Sequence, residues 1–251
     1  CRYGDFDSRS VVPCDLDAAF DAYFEHLYAR LDAFGNAGAL DRIRTVYVGG
    51  GTPSLAGERL VELARRIRAW CAPVEFTCEA NPESLTAELA AALAKAGVTR
   101  VSLGVQTLDN TELSAIGRIH DADRALAAIA TVKDAGLDVS CDLMCGLPGQ
   151  TASSWRCTLD GVLAAAPHHV SVYPLTLEEG TPWRAATSRS SLMRIFRPPA
   201  WTWRASAWGR LAITRMRWRA TRSTAMSAPI TLPTGPARVI WAWAVLPPEC
   251  L

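Results

Sequence analysis

The sequence predicts an α/β protein, an incomplete parallel (β/α)6 barrel followed by a poorly structured C-terminal tail. Three observations carry that expectation. Short β-rich runs alternate with helical runs long enough to cross back over a sheet. Single glycines close several of the helical runs. The chemically informative residues fall at the ends of the β-rich runs, where parallel barrels place their ligands.

The elements follow in order. Leu16, Ala19, Phe20, Tyr23, Phe24, Leu27, Tyr28 and Leu31 recur at helical spacing and predict a long amphipathic helix. Residues 44–48 are a β-rich run ending in Gly49, Gly50 and Gly51; residues 57–70 read as helix and 74–78 as strand. Residues 85–95 form an Ala/Leu helix closed by Gly97, 100–105 a strand, 122–135 a helix closed by Gly136, and 138–144 a strand. Residues 153–166 and 169–175 add a last helix and strand. Parallel neighbours need a crossover of this length, and an unbroken series of such units makes a barrel or part of one. On that plan Gly49 to Gly51, Glu79, Gln106, Asp142 and Tyr173 share one rim.

Composition narrows the functional classes. The 251 residues are 49% hydrophobic with a formal net charge of +1, enough for one large domain or two small ones. That balance argues against a nucleic-acid partner or an anionic membrane surface. The longest apolar run near the end, residues 239–246, is too short to span a bilayer, so no transmembrane segment is expected. The chain begins with Cys1 rather than Met and shows no secretory leader, which reads as a cytoplasmic chain lacking its start. Of the eight cysteines, Cys78, Cys141 and Cys145 lie in or beside strand-like runs and read as reduced thiols, not a disulfide framework.

The motifs are Cys1-Arg2-Tyr3-Gly4-Asp5-Phe6, Val48-Gly49-Gly50-Gly51-Thr52-Pro53-Ser54, Glu79-Ala80-Asn81-Pro82, Ile116-Gly117-Arg118, and Asp142-Leu143-Met144-Cys145-Gly146-Leu147-Pro148-Gly149-Gln150-Thr151. In this order and spacing they resemble a radical S-adenosylmethionine (SAM) barrel of the oxygen-independent coproporphyrinogen III oxidase family. Gly146 to Thr151, with Leu175-Thr176-Leu177-Glu178-Glu179-Gly180-Thr181-Pro182, is most similar to its heme-chaperone branch. The resemblance implies a TIM-like barrel over residues 1–187. It also implies a 4Fe-4S cluster, SAM and heme as cofactors, heme or porphyrin as the molecule handled, and respiratory apoproteins as recipients. The alternatives it leaves open are radical oxidative decarboxylation by the oxidase branch and an inactive product of a decayed gene.

Residue by residue, the resemblance assigns Cys1 to the cluster and Tyr3, Gly50, Gly51, Thr52, Glu79, Gln106, Arg118 and Asp142 to SAM. Glycine lets backbone amides approach a ligand, carboxylates at strand ends accept from its amino group or ribose, and the Arg fork suits a carboxylate. The catalytic residues stay unassigned. The family's loop is Cys-x-x-x-Cys-x-x-Cys, so Cys1 matches the middle ligand, the first would lie upstream, and Gly4 stands in the third position. Glycine carries no iron ligand, and Cys14 lies some ten residues on, beside a helix start.

Residues 188–251 change character. After Gly180 the only acidic residue is Glu249, no Lys occurs, and seven of the nine Trp are found there. Read from the third base of each assumed codon, residues 223–235 permit Leu-Asp-Gly-His-Val-Cys-Ala-His-Asn-x-Ala-Tyr-Trp, similar to a family segment. Residues 237–244 permit x-Ser-Tyr-Leu-Gly-Leu-Gly. The expectation is a shifted reading frame beginning near Arg184 to Ser190, against the rival of a genuine Arg/Trp interaction tail.

Overall fold

The computed structural model describes residues 16–175 and the backbone of 240–241. Cys1, Tyr3, Gly4, Cys14, the 187/188 boundary and the rest of the tail lie outside the described residues. Helix α1 spans Leu16–Asn36, and strand β1, Thr45–Val48, leads into the glycine turn and a short 3-10 segment, Pro53–Ala56. There follow α2 (Glu58–Trp70), β2 (Glu75–Ala80), α3 (Ala87–Lys95) and β3 (Arg100–Gln106). The last are α4 (Asn110–Ala115), α5 (Ala122–Asp134), β4 (Asp138–Cys145), α6 (Ala152–Ala164), β5 (His169–Pro174) and the two-residue β6 (Ile240–Trp241).

Every strand pairing is parallel, and β1 to β5 are neighbours in chain order. Because the order never reverses, right-handed crossovers put every connecting helix on one face, the winding of a barrel. The sixth strand, β6, pairs with the other edge of β1 at Val46 and Tyr47. The expected fold class therefore holds for the described residues, with α4 and the 3-10 segment as elements that the periodicity did not show. Both are too short for a periodic signal.

The strand faces have opposite chemistry. Phe76, Cys78, Val101, Leu103, Val105, Val139, Cys141 and Leu143 are each at most 1% exposed and pack beneath the helices. Their alternates are polar, among them Thr77 and Glu79 on β2, Ser102 on β3, Ser140 and Asp142 on β4, and His169 and Tyr173 on β5. Parallel strands covered on both faces read as continuous apolar runs. This sheet has one apolar face and one polar face, so its inner side is a site rather than a second core.

Cap chemistry sets the helix starts. Thr86, Asp121 and Thr151 each accept a backbone N–H through the side chain at the first turn, and Thr151 with Ser154 completes a capping box. Helix α1 lies on α2, with the Tyr28 hydroxyl donating to the Arg59 carbonyl oxygen at 2.7 Å and the Arg66 guanidinium over the Tyr28 ring. It is fastened there by Arg59 to Asp21 at 2.6 Å, Arg66 to Asp32 at 2.8 Å and the Trp70 indole to Asp32 at 2.8 Å.

Candidate functional site

The glycine turn meets β2 at Glu79. Gly50 N–H donates to Glu79 Oε2 at 2.9 Å and the Tyr47 hydroxyl donates to Oε1. Gly50 and Gly51 hold φ of 94° and 52°, left-handed values that favour glycine, and a Cβ at either would meet open space. At Gly49 the reason for glycine is close approach, since a Cβ would lie 2.6 Å from Tyr47 Cε1 and 2.9 Å from Glu79 Cδ. The turn thus keeps its backbone bare beside a carboxylate. Burial and the Glu79 charge push the Tyr47 phenol above its ordinary value, so it remains a donor.

Across the rim, Asn81 Nδ2 donates to Thr52 Oγ1 at 3.0 Å, and Arg118 Nη1 donates to Asn81 Oδ1 at 3.2 Å. Gln106 is 3% exposed, and its Oε1 accepts from the Tyr173 hydroxyl at 2.8 Å. That bond fixes the amide so that its NH2 faces inward. Gln106 also holds φ of 67°, left-handed backbone for a residue with a side chain, costing roughly 1–2 kcal/mol. All three amide and guanidinium groups converge on Gly104. A Cβ there would lie 2.9 Å from Asn81 Oδ1, 3.0 Å from Gln106 Nε2 and 3.8 Å from Arg118 Nη2.

Asp142 lies deeper than the others, three residues before the end of β4 and in register with Ser171 of β5. The Ser102 hydroxyl donates to its Oδ2 at 2.9 Å. Burial pushes the Asp142 carboxyl above its usual range, the Ser102 and Ser171 hydrogen bonds pull it partly back, and the Glu79 charge pushes it up.

Of the sequence-predicted residues, Gly50, Gly51, Thr52, Glu79, Gln106 and Arg118 therefore stand on one rim and Asp142 below it, whereas Tyr3 and Cys1 lie outside the described residues. Sequence reasoning missed Asn81 as the hub between Thr52 and Arg118, and Gly104 as the bare floor. A glycine inside a strand is itself a signal of close approach. It also missed Glu112, 4% exposed, which accepts from Thr107 Oγ1 at 2.6 Å, Gln150 Nε2 at 3.0 Å and Ser154 Oγ at 2.6 Å. Gln150 Oε1 accepts from Gly146 N–H at 2.7 Å, so the Gly146 to Thr151 motif acts here as a loop brace.

Residues 18–160 match the Radical SAM superfamily. The chain belongs to that superfamily. It is 38% identical over 186 residues to the mitochondrial radical S-adenosyl methionine domain-containing protein 1 of Bos taurus, covering 72% of this chain and 41% of that protein. With the heme chaperone HemW of Bacillus subtilis the identity is 34% over 187 residues, covering 72% and 48%. The chain thus spans less than half the length of these curated relatives. The solved structure of coproporphyrinogen III oxidase (HemN) from Escherichia coli superposes with a TM-score of 0.58 at 21% identity, over 71% of this chain and 44% of that one, and supports the fold.

Of the three implied cofactors, SAM and the cluster fare differently. For SAM, the bare turn, the Gly104 hollow and a set of two carboxylates, an inward amide NH2 and a guanidinium fit a zwitterionic, hydroxyl-bearing ligand. For the cluster, no group of three or more His, Cys, Asp or Glu is placed to hold a metal among the described residues. Cys78 and Cys141 are sealed beneath the helices, where burial pushes each thiol up to about 12. On the motif resemblance Gly4 stands in the third ligand position, where glycine supplies no thiolate. No helix among the described residues is long and apolar enough to cross a membrane.

Proposed function

We propose that this chain is the barrel portion of a heme chaperone that binds SAM on the rim formed by Gly50, Gly51, Thr52, Glu79, Gln106 and Arg118, with Asp142 beneath. Heme or a related porphyrin is the molecule carried, respiratory apoproteins are the recipients, and the cytoplasm is the location. The observation that carries the reading is convergence: the strand ends bring a carboxylate and a fixed amide, and the loop after α4 brings the Arg118 guanidinium, onto a backbone stripped of side chains at Gly49 to Gly51 and Gly104. The similarity to proteins named heme chaperone HemW supports the carried molecule. In this reading Glu79 exchanges the Gly50 N–H for the ligand's amino group. Arg118 and the Gln106 NH2 hold the ligand's oxygens, and the Tyr173 hydroxyl keeps that amide from flipping.

The test separates binding from turnover. Purified chain is titrated with heme by absorbance and, in parallel, incubated anaerobically with SAM, a reductant and coproporphyrinogen III. A saturable heme spectrum with no porphyrinogen product supports the chaperone reading. Decarboxylated product would replace it with the oxidase reading, and neither signal would leave an inactive remnant.

A further inference from the structure

We propose that His120 and Glu83 form a clamp that positions Asn81, Gln106 and Arg118 for the ligand; the proposal rests on the SAM reading of those three residues. The His120 side chain is 0% exposed, although the residue before it, Ile119, is 86% exposed. Residues 118–120 belong to no helix or strand. This strap therefore crosses the rim without regular backbone pairing, and the imidazole is its inward anchor.

The anchor reaches the segments that carry the site. His120 Nδ1 lies 2.9 Å from Glu83 Oε2, and Nε2 lies 3.4 Å from the Val105 carbonyl oxygen. Glu83 is two residues beyond Asn81, Val105 precedes Gln106, and His120 is two residues beyond Arg118. The Arg118 to Asn81 contact and the His120 to Glu83 contact are thus two rungs between the same two loops, and the third contact ties both to the end of β3. One ring nitrogen faces a carboxylate and the other a backbone carbonyl, so the ring is held at both ends. Burial acts to raise the Glu83 carboxyl, but the His120 hydrogen bond, its own backbone bond and the Arg118 charge outweigh this and hold it below its ordinary value. A hydrogen-bonded charge of this kind fixes geometry more than a neutral contact does. Gln106 sits on left-handed backbone, so its surroundings must hold it there. His120 touches no assigned ligand atom and is a positioning residue.

Amide hydrogen exchange on the purified chain decides this without any ligand. His120→Ala should speed exchange in three separate segments, 81–85, 105–107 and 117–120, by about tenfold, the loss of roughly one hydrogen bond to a charged group. Glu83→Gln should give the same pattern more weakly, and His120→Gln, which keeps one donor, should recover part of it. Ile129→Val on α5 removes a core methyl group and serves as the comparison for general loosening. Faster exchange confined to 119–121, or spread over the sheet as in Ile129→Val, would overturn the clamp. Equilibrium dialysis with SAM then separates the two ideas. A wild-type chain that binds and a His120→Ala chain that binds equally well would overturn the clamp. No binding by wild type would overturn the SAM reading and leave the exchange result to decide the clamp.

Discussion

Gly104→Ala tests the site with a single methyl group. The backbone at Gly104 is not left-handed, so alanine costs nothing in the strand itself. The new Cβ would stand 2.9 Å from Asn81 Oδ1 and 3.0 Å from Gln106 Nε2, inside contact distance for both. Ends of flexible side chains ordinarily swing away, but these two are pinned. Asn81 is held by Thr52 and Arg118, and Gln106 by Tyr173. Relieving the clash breaks the Arg118 to Asn81 bond and strains the Tyr173 to Gln106 bond, a loss of about 2–3 kcal/mol in the preorganised site. At 1.4 kcal/mol per decade that is roughly a 30- to 150-fold rise in the Kd for SAM. Global stability should fall by up to the same about 2–3 kcal/mol, because the broken bonds belong to the folded state and the Gln106 amide is buried. Isothermal titration with SAM and urea unfolding read the two quantities. Gly161→Ala on α6 is the control: its Cβ would meet Leu108 Cδ1 at 2.7 Å, away from the ligand groups, and SAM affinity should not move. Gly104→Ala binding SAM as tightly as wild type would refute the claim that the bare floor preorganises the site.

Tyr173→Phe removes the bond that orients the Gln106 amide and should weaken SAM binding by roughly threefold to tenfold, with no matching fall in unfolding midpoint, as titration would show. Asp142→Asn should stabilise the fold near neutral pH. Its carboxyl is raised in the folded state, so the native chain binds more protons than the unfolded one between the ordinary carboxylate value and the raised one, and wild-type stability falls as pH rises through that window. The advantage of Asn should therefore shrink as urea unfolding is repeated toward pH 4, and an advantage independent of pH would contradict the assignment. Glu112→Ala strips a buried acceptor from Thr107, Gln150 and Ser154, and should cost about 2–4 kcal/mol in urea unfolding.

Much of the frame was legible in the residues, for a physical reason. The outward faces of β2, β3 and β4 are dense in Val, Leu and Phe, and the intervening helices carry strong 3.6-residue periodicity. Glycines 97 and 136 marked helix ends, and both hold left-handed φ there. The rim was legible because ligand groups in parallel barrels gather where strands end. The partners of those residues were not. Asn81 meets Thr52 across 29 positions and Tyr173 meets Gln106 across 67, distances at which no local pattern operates. Asp142 was expected among the rim residues, but β4 runs on to Cys145, so it lies deeper, between Ser102 and Ser171. Strand ends are the least defined part of a sequence pattern, and only pairing register fixes depth.

The measurement that bears most directly on the central claim is equilibrium binding of SAM to the purified 251-residue chain and to its Glu79→Ala variant, without added iron. The account predicts saturable binding at one molecule per chain that falls at least about tenfold in the variant, which loses the carboxylate now satisfied by Gly50 N–H and the Tyr47 hydroxyl. Binding that the variant leaves unchanged, or no saturable binding by the wild-type chain, would contradict it.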